Sequence, residues 1–207
     1  MKRVVEVAIV VTVLAIVASL TLLPTYPGTF GQHTLASCGV VTDGNGWGSV
    51  VAIGPDLLLT AGHCIGHPDT YVEIQGKRYE ILDQWRSEDS DVGFIRVDGA
   101  LPYLEFGTMP SLLDTVYLVG SPYDQVLVNT VTKGIVSGFD RAIYDWEHLI
   151  QTDAEAAPGS SGGPLFDIHG RIIGICVAGP NPGGGVTLCV PVSDILVALE
   201  VYCASHK

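Results

Sequence analysis

From residue 48 onward, short apolar runs alternate with Gly-, Pro- and Asp-containing turns. The runs are Gly48–Ile53, Leu57–Thr60, Tyr71–Ile74, Arg78–Leu82, Val92–Val97, Thr115–Val119, Val126–Val136, His148–Thr152, Arg171–Val177 and Val186–Val190. Short segments rich in Val, Ile, Thr and Tyr between turn signals predict strands, and this many predict a sandwich or a pair of barrels. The break around Leu101 to Leu113 divides the strands into two β halves. Helical spacing is good only over Ser193–Cys203, where Ile195, Leu196, Leu199 and Tyr202 repeat and Ser193 or Asp194 can cap. The expected class is all-β with a short C-terminal helix.

The N-terminus has a different pattern. Val4 to Leu23 form a run of 20 residues broken only by Glu6, Thr12, Ser19 and Thr21, and Met1-Lys2-Arg3 precede it. A helix of that length spans roughly 30 Å, the thickness of a bilayer core. Lys2 and Arg3 place the start in the cytoplasm and the remainder outside. A cleaved secretory signal is the alternative, but no A-x-A site follows the run. The lipobox-like Leu35-Ala36-Ser37-Cys38 lies too far beyond it. Residues 1–23 therefore read as a transmembrane anchor or signal, 24–37 as a Pro/Gly/Thr/Ser linker, and 38–203 as the folded domain.

Composition narrows the partners. Ten Lys and Arg against 22 Asp and Glu give a net charge of −12. That balance excludes a nucleic-acid binder, which needs a basic stripe. Without Lys2, Arg3 and Glu6 the rest has 8 basic and 21 acidic residues, so it should not lie on an anionic membrane. The five cysteines, Cys38, Cys64, Cys176, Cys189 and Cys203, are an odd number, so at least one is free or pairs between chains. Cys176 and Cys189 fall in apolar runs, where the ordinary reading is a buried thiol.

Three segments carry chemistry. Thr60-Ala61-Gly62-His63-Cys64 follows an apolar strand, Ser90-Asp91 heads another, and Pro158-Gly159-Ser160-Ser161-Gly162-Gly163-Pro164 is a tight loop. A serine hydroxyl is a weak nucleophile until a base takes its proton. Imidazole is the natural base near neutral pH, and a buried carboxylate holds its tautomer and stabilises the imidazolium. Glycines let the backbone turn sharply enough to aim N–H groups at a developing oxyanion. Ser161, His63 and Asp91 supply the three side chains, and the N–H groups of Gly159 and Ser161 the oxyanion donors.

Five segments in order, including Asn129-Thr130-Val131-Thr132-Lys133-Gly134-Ile135-Val136-Ser137, Ile150-Gln151-Thr152-Asp153-Ala154 with the Ser161 loop, Arg171-Ile172-Ile173-Gly174-Ile175 and Gly185-Val186-Thr187-Leu188-Cys189-Val190-Pro191, resemble the HtrA (Deg) branch of the trypsin-like serine proteases. The resemblance covers about residues 40–200. It implies two antiparallel six-stranded β-barrels, one over about 38–105 and the other over about 111–192, with the site between them. It implies a serine endopeptidase acting on polypeptides, with no metal or organic cofactor. HtrA proteins usually carry a PDZ domain next, and the 16 residues after Pro191 are too few for one, so gating by such a domain is not expected. Relative to animal trypsins, Cys64 faces Gly46 or Trp47 where a bridging cysteine is usual, leaving Cys38 as a candidate partner. Ser160 stands where trypsin-like zymogens use a carboxylate to bind a freed N-terminus, so starts at residues 28, 32 and 36 should have similar activity.

Specificity reads two ways. Glu155, six residues before Ser161, would form an acidic pocket floor and favour Arg or Lys. The HtrA-like context favours a small aliphatic pocket walled by Cys176, Val177, Ala178 and Thr187, and the flanking residues lean that way. Three other readings are weaker. An α/β-hydrolase needs the order Ser161, Asp194, His206 and alternating strands and helices, which are missing. Zinc ligation by His63, Cys64 and His67 lacks a second ligand pair. A catalytically inactive binding module of the same fold is a separate function class.

Overall fold

The computed structural model describes residues 30–123, 125–179 and 184–206. The apolar run Val4–Leu23 and the first half of the expected linker lie outside them. Among the described residues no helix is long and apolar enough to cross a membrane.

The chain opens with α1 (Phe30–Ala36). Seven strands then form an antiparallel sheet: β1 (Cys38–Thr42), β2 (Trp47–Ala52), β3 (Leu57–Ala61), β4 (Tyr71–Ile74), β5 (Lys77–Tyr79), β6 (Ile81–Arg86) and β7 (Val92–Val97). Their order is β5-β4-β1-β2-β3-β7-β6. The second half is a closed barrel, β10-β13-β12-β11-β8-β9, made of β8 (Thr115–Gly120), β9 (Thr130–Ile143), β10 (Trp146–Thr152), β11 (Pro164–Phe166), β12 (Ile172–Ala178) and β13 (Thr187–Pro191). The helix α2 (Val192–Ser205) ends the chain.

Barrel two thus has the expected six strands, but the first half is a curled, seven-stranded half-barrel rather than a closed six-stranded one. The run Arg78–Leu82 divides at Glu80 into parts of β5 and β6, which adds a strand. Both are edge strands, and β5 has only three residues, two of them charged. The cations of Lys77 and Arg78 sit over the rings of Tyr79 and Tyr71. Short, charged edges resist further pairing, and the sheet stays open.

The central strands are buried on both faces, as β1, β2 and β3 show, so their sequences are near-continuous apolar runs rather than alternating ones. One core cluster crosses the seam, joining Leu59, Phe94 and Leu104 to Val119, Phe166, Val190 and Tyr202. The stretch between the halves runs in that seam. Leu104 N–H donates to Ala52 (3.0 Å) on one side, and Ile172 N–H donates to Glu105 (2.9 Å) on the other. The helix α2 packs Val192, Ile195, Ala198 and Tyr202 inward, while Leu196, expected on that face, is exposed.

Residues 30–37, expected within the linker, are helical and docked. Ala52 N–H donates to Ser37 O (2.8 Å), and the Asn129 amide donates to Leu35 O (3.1 Å) and Cys38 O (3.2 Å). These bonds fasten the segment to both halves.

Candidate active site

His63 sits on a short 3₁₀ turn, Gly62–Cys64, directly after β3, and Asp91 directly precedes β7. The β3–β7 ladder ends at Ala61 opposite Val92, and Gly62 N–H donates to Asp91 O (3.1 Å), so the register itself brings His63 to Asp91. Both carboxylate oxygens are used. One accepts from His63 N–H (2.9 Å) and the other bonds Nδ1 of the ring (2.6 Å). The Asp91 side chain is 4% exposed and that of His63 40%. Space at Gly62 is tight: a Cβ would lie 2.8 Å from Arg86 Cγ, which would have to shift, and 3.1 Å from Asp91 Oδ1. Burial opposes the imidazolium, but the hydrogen bonds and charge of Asp91 and Cys64 outweigh it, and the pKa is pushed up to about 10.

Ser161 lies on a loop of turns. Ser160 N–H donates to Ala157 O (2.8 Å), with Gly159 at φ 99°, and Gly163 N–H donates to Ser160 O (2.9 Å), with Gly162 at φ 82°. Positive φ with backbone pressed against both positions explains these glycines: a Cβ at Gly159 would collide with Trp47 and Ser121 O, and one at Gly162 with Ser49 O and Thr60. The half-barrel holds the loop through Ser49. Its N–H donates to Ser161 O (2.6 Å) and its hydroxyl to Gly159 O (2.8 Å), while Ser121 N–H donates to the same hydroxyl (2.9 Å).

The peptide between Pro158 and Gly159 is oriented by Tyr123, whose N–H donates to Pro158 O (2.8 Å). In a trans peptide the N–H points opposite to the C=O, so Gly159 N–H is turned away from Tyr123. Among the described residues, neither Gly159 nor Ser161 N–H has an acceptor. The Ser160 hydroxyl is buried and accepts from Ala157 N–H (3.3 Å), closing the turn from inside.

The residues expected to wall a pocket lie on and beside β12 and β13. Cys176 lies in the barrel core with Ile173 and Cys189, and Val177 in the cluster at the seam. Thr187 is buried with its hydroxyl donating to Ala154 O (2.7 Å). Ala178 faces Leu188 across the ladder. Glu155 is exposed and lines a separate cavity of about 170 Å³ with Gly120, Tyr123, Thr130 and Ser160.

The open cysteine pairing and the weaker alternatives can be placed as well. All five cysteines are free, and Cys38 pairs in register with Val51, away from Cys64. The position facing Cys64 is Gly48, where a Cβ would lie 2.5 Å from the sulfur. His206 faces Asp83 (3.1 Å) and Asp194 accepts from Ser193 (2.9 Å), which removes them from any hydrolase triad with Ser161. His67 faces Asp43 (3.9 Å) instead of joining His63 in a zinc set. Ser49, Tyr123 and Trp146 were missed as site residues. Trp146 stacks on His63, with ring centroids 5.6 Å apart. Nothing in their spacing marks them, since each acts across the seam or through its backbone.

A family model for the trypsin-like peptidase domain matches residues 44–175. The chain belongs to that family. It is 34% identical over 154 residues to a probable periplasmic serine endoprotease, DegP-like, of Pseudomonas fluorescens, covering 70% of this chain and 31% of that protein. It is 36% identical over 142 residues to Protease Do-like 2, chloroplastic, of Arabidopsis thaliana, covering 62% and 23%. The trypsin-like chain thus spans about a third or less of these relatives. Among solved structures, the serine endoprotease from Yersinia pestis superposes with a TM-score of 0.71 at 26% identity, covering 84% of this chain and 66% of that one.

Proposed function

We propose that the chain is a serine endopeptidase in which Ser161 is the nucleophile, His63 the general base and Asp91 its orienting carboxylate. The observation that carries this reading is the two-point hold of Asp91 on His63, at 2.6 and 2.9 Å, in a site whose serine loop leaves two N–H groups without acceptors. Ser161 Oγ attacks the substrate carbonyl as His63 Nε2 takes its proton. The N–H groups of Gly159 and Ser161 receive the oxyanion, and the imidazolium then protonates the leaving amine. Water attacks the acyl-enzyme in the second half, with His63 again the base.

The substrates are polypeptides. Cleavage follows small aliphatic side chains, a reading supported by the exposure of Glu155, which is not a buried pocket floor. Residues 4–23 tether the protease domain on the extracytoplasmic side, a reading supported by the length of the apolar run and the basic start.

Active-site labelling with a fluorophosphonate tests the assignment. The unaltered chain is labelled and hydrolyses peptides, and Ser161→Ala abolishes both while the fold, by circular dichroism, is unchanged. Labelling that survives in Ser161→Ala overturns it. A well-folded, unlabelled wild-type chain points instead to an inactive binding module. Matched peptide substrates with Val or Arg at the cleaved position test the pocket. Membrane fractionation with protease access from each side tests the topology.

A further inference from the structure

Cys176 on β12 lies directly opposite Cys189 on β13. Facing pairs in an antiparallel ladder alternate between those that exchange hydrogen bonds and those that do not, and the latter bring their Cα atoms to about 4.5 Å. Two observations place the cysteines in the second class. Two residues along, Gly174 faces Pro191, which has no N–H and cannot complete a bonded pair. By alternation Ile175 and Val190 are the bonded pair, and the cysteines the unbonded one. Independently, Cys176 directs its backbone away from β13: its N–H donates to Gly163 O (2.8 Å) and its C=O accepts from Gly162 N–H (2.7 Å).

A separation of about 4.5 Å lies inside the Cα range that a disulfide spans, roughly 4.4–6.8 Å. Both side chains lie in one buried core cluster. The Cys176 hydrogen bond, then burial, push the Cys189 thiol well above its ordinary range. Both are shut in the closed barrel, at 2% and 0% exposure, and both are free in this structure.

We propose that Cys176 and Cys189 are the two halves of a cross-strand disulfide, made while the chain folds in the presence of a disulfide donor. One cysteine thiolate attacks a sulfur of oxidised glutathione, giving a mixed disulfide and releasing one glutathione thiolate. The second cysteine thiolate displaces the other. Two cysteines are oxidised, one glutathione disulfide is reduced to two thiols, and the two cysteine protons end on them. A thiol that is hard to ionise and fully enclosed exchanges slowly, so the bond forms before the barrel closes and then resists reductant. Cys176 holds Gly162 and Gly163 through its backbone, so the bond ties the serine loop's support to β13.

The test reads thiols and needs no catalysis. The full chain is synthesised cell-free in detergent micelles with either oxidised glutathione or excess dithiothreitol, then alkylated under denaturing conditions and mapped by mass spectrometry. With glutathione, three of the five cysteines are alkylated, the 176 and 189 peptides are joined, and Tm rises by roughly 6–12 °C over the reduced protein. Cys189→Ala abolishes the rise and Cys203→Ala keeps it. If Cys189→Ala does not fold, the peptide map of the unaltered chain decides. Five alkylated cysteines in the glutathione sample, or a bond from either residue to Cys38, Cys64 or Cys203, overturns the proposal.

Discussion

Trp146 lies nearly flat against His63, with ring centroids 5.6 Å apart and planes inclined by 20°. The indole comes from β10 of the barrel and the imidazole from the half-barrel, so the stack closes the seam over the base. Tyr144 supports the indole edge-on at 5.7 Å. An aromatic face favours the imidazolium, by about 0.5–1 kcal/mol at a partly exposed site. Trp146→Ala is therefore expected to lower the acid-limb midpoint of kcat/KM by about half a pH unit. It should also reduce kcat/KM roughly 3- to 10-fold through lost orientation, and Trp146→Phe should restore most of both. A pH–rate profile of the three proteins checks this, and an unmoved midpoint contradicts it.

The raised pKa of His63 fixes the sign of two pH effects. The base must be neutral to act, so kcat/KM rises with pH through a midpoint above the ordinary imidazole value of about 6.5. Asp91→Asn brings that midpoint down and lowers the plateau by about 10⁴-fold. For stability, a folded pKa above the unfolded one means that the charged pair contributes fully below about pH 6.5. That contribution is lost as pH rises through about 10. Urea unfolding of Asp91→Asn should therefore show the largest deficit on the acid side and approach wild type in alkali. The opposite trend would refute the assignment of the pair.

Ser49→Ala removes a hydroxyl that accepts from Ser121 N–H and donates to Gly159 O. Both partners are left without it inside the seam, at a cost of about 1–3 kcal/mol. Under the proposed oxyanion role of Gly159 N–H, kcat should fall more than KM changes. Steady-state kinetics beside thermal melts separate the two effects.

A chain starting at residue 28 keeps α1, the Leu35–Asn129 bond and the Ser37–Ala52 bond, whereas one starting at residue 38 loses all three and keeps only Cys38 O against Asn129. The longer chain should be the more stable, by about 1–3 kcal/mol, or roughly 2–12 °C in Tm. Activity therefore follows retention of the docked helix rather than the identity of the first residue. A start at residue 36 loses the helix and the Leu35 bond but keeps Ser37 against Ala52, so it should fall between the two. Differential scanning fluorimetry of the two chains measures the gap.

The sequence singled out His63, Asp91 and the Ser161 loop as candidates, and the structure sets His63 against Asp91 as that reading expects. The runs marked five of the six strands in barrel two and missed β11, only three residues long; the count of six came from the family resemblance. The half-barrel was not legible, since closure depends on whether edges pair, and Glu80 between β5 and β6 carries no such signal. The register of β12 against β13 was not either. Which face a strand residue takes depends on register, and the ladder between β12 and β13 slips between Cys176 and Ala178. A one-residue slip exchanges inside and outside. Ser49 was invisible because one serine in an apolar strand looks like any other until the opposite half is folded against it.

The hydrogen bond that Ser49 N–H donates to Ser161 O has a thermodynamic corollary. The serine turn is shaped by a strand more than a hundred positions earlier in the chain. Neither half can then hold a working site alone, and partial melting of one should silence the other. Denaturation followed by hydrolysis, tryptophan emission and far-ultraviolet dichroism should trace a single coincident transition. Catalysis here is a property of the whole cooperative unit, and loss of turnover serves as a gauge of the first opening of the seam.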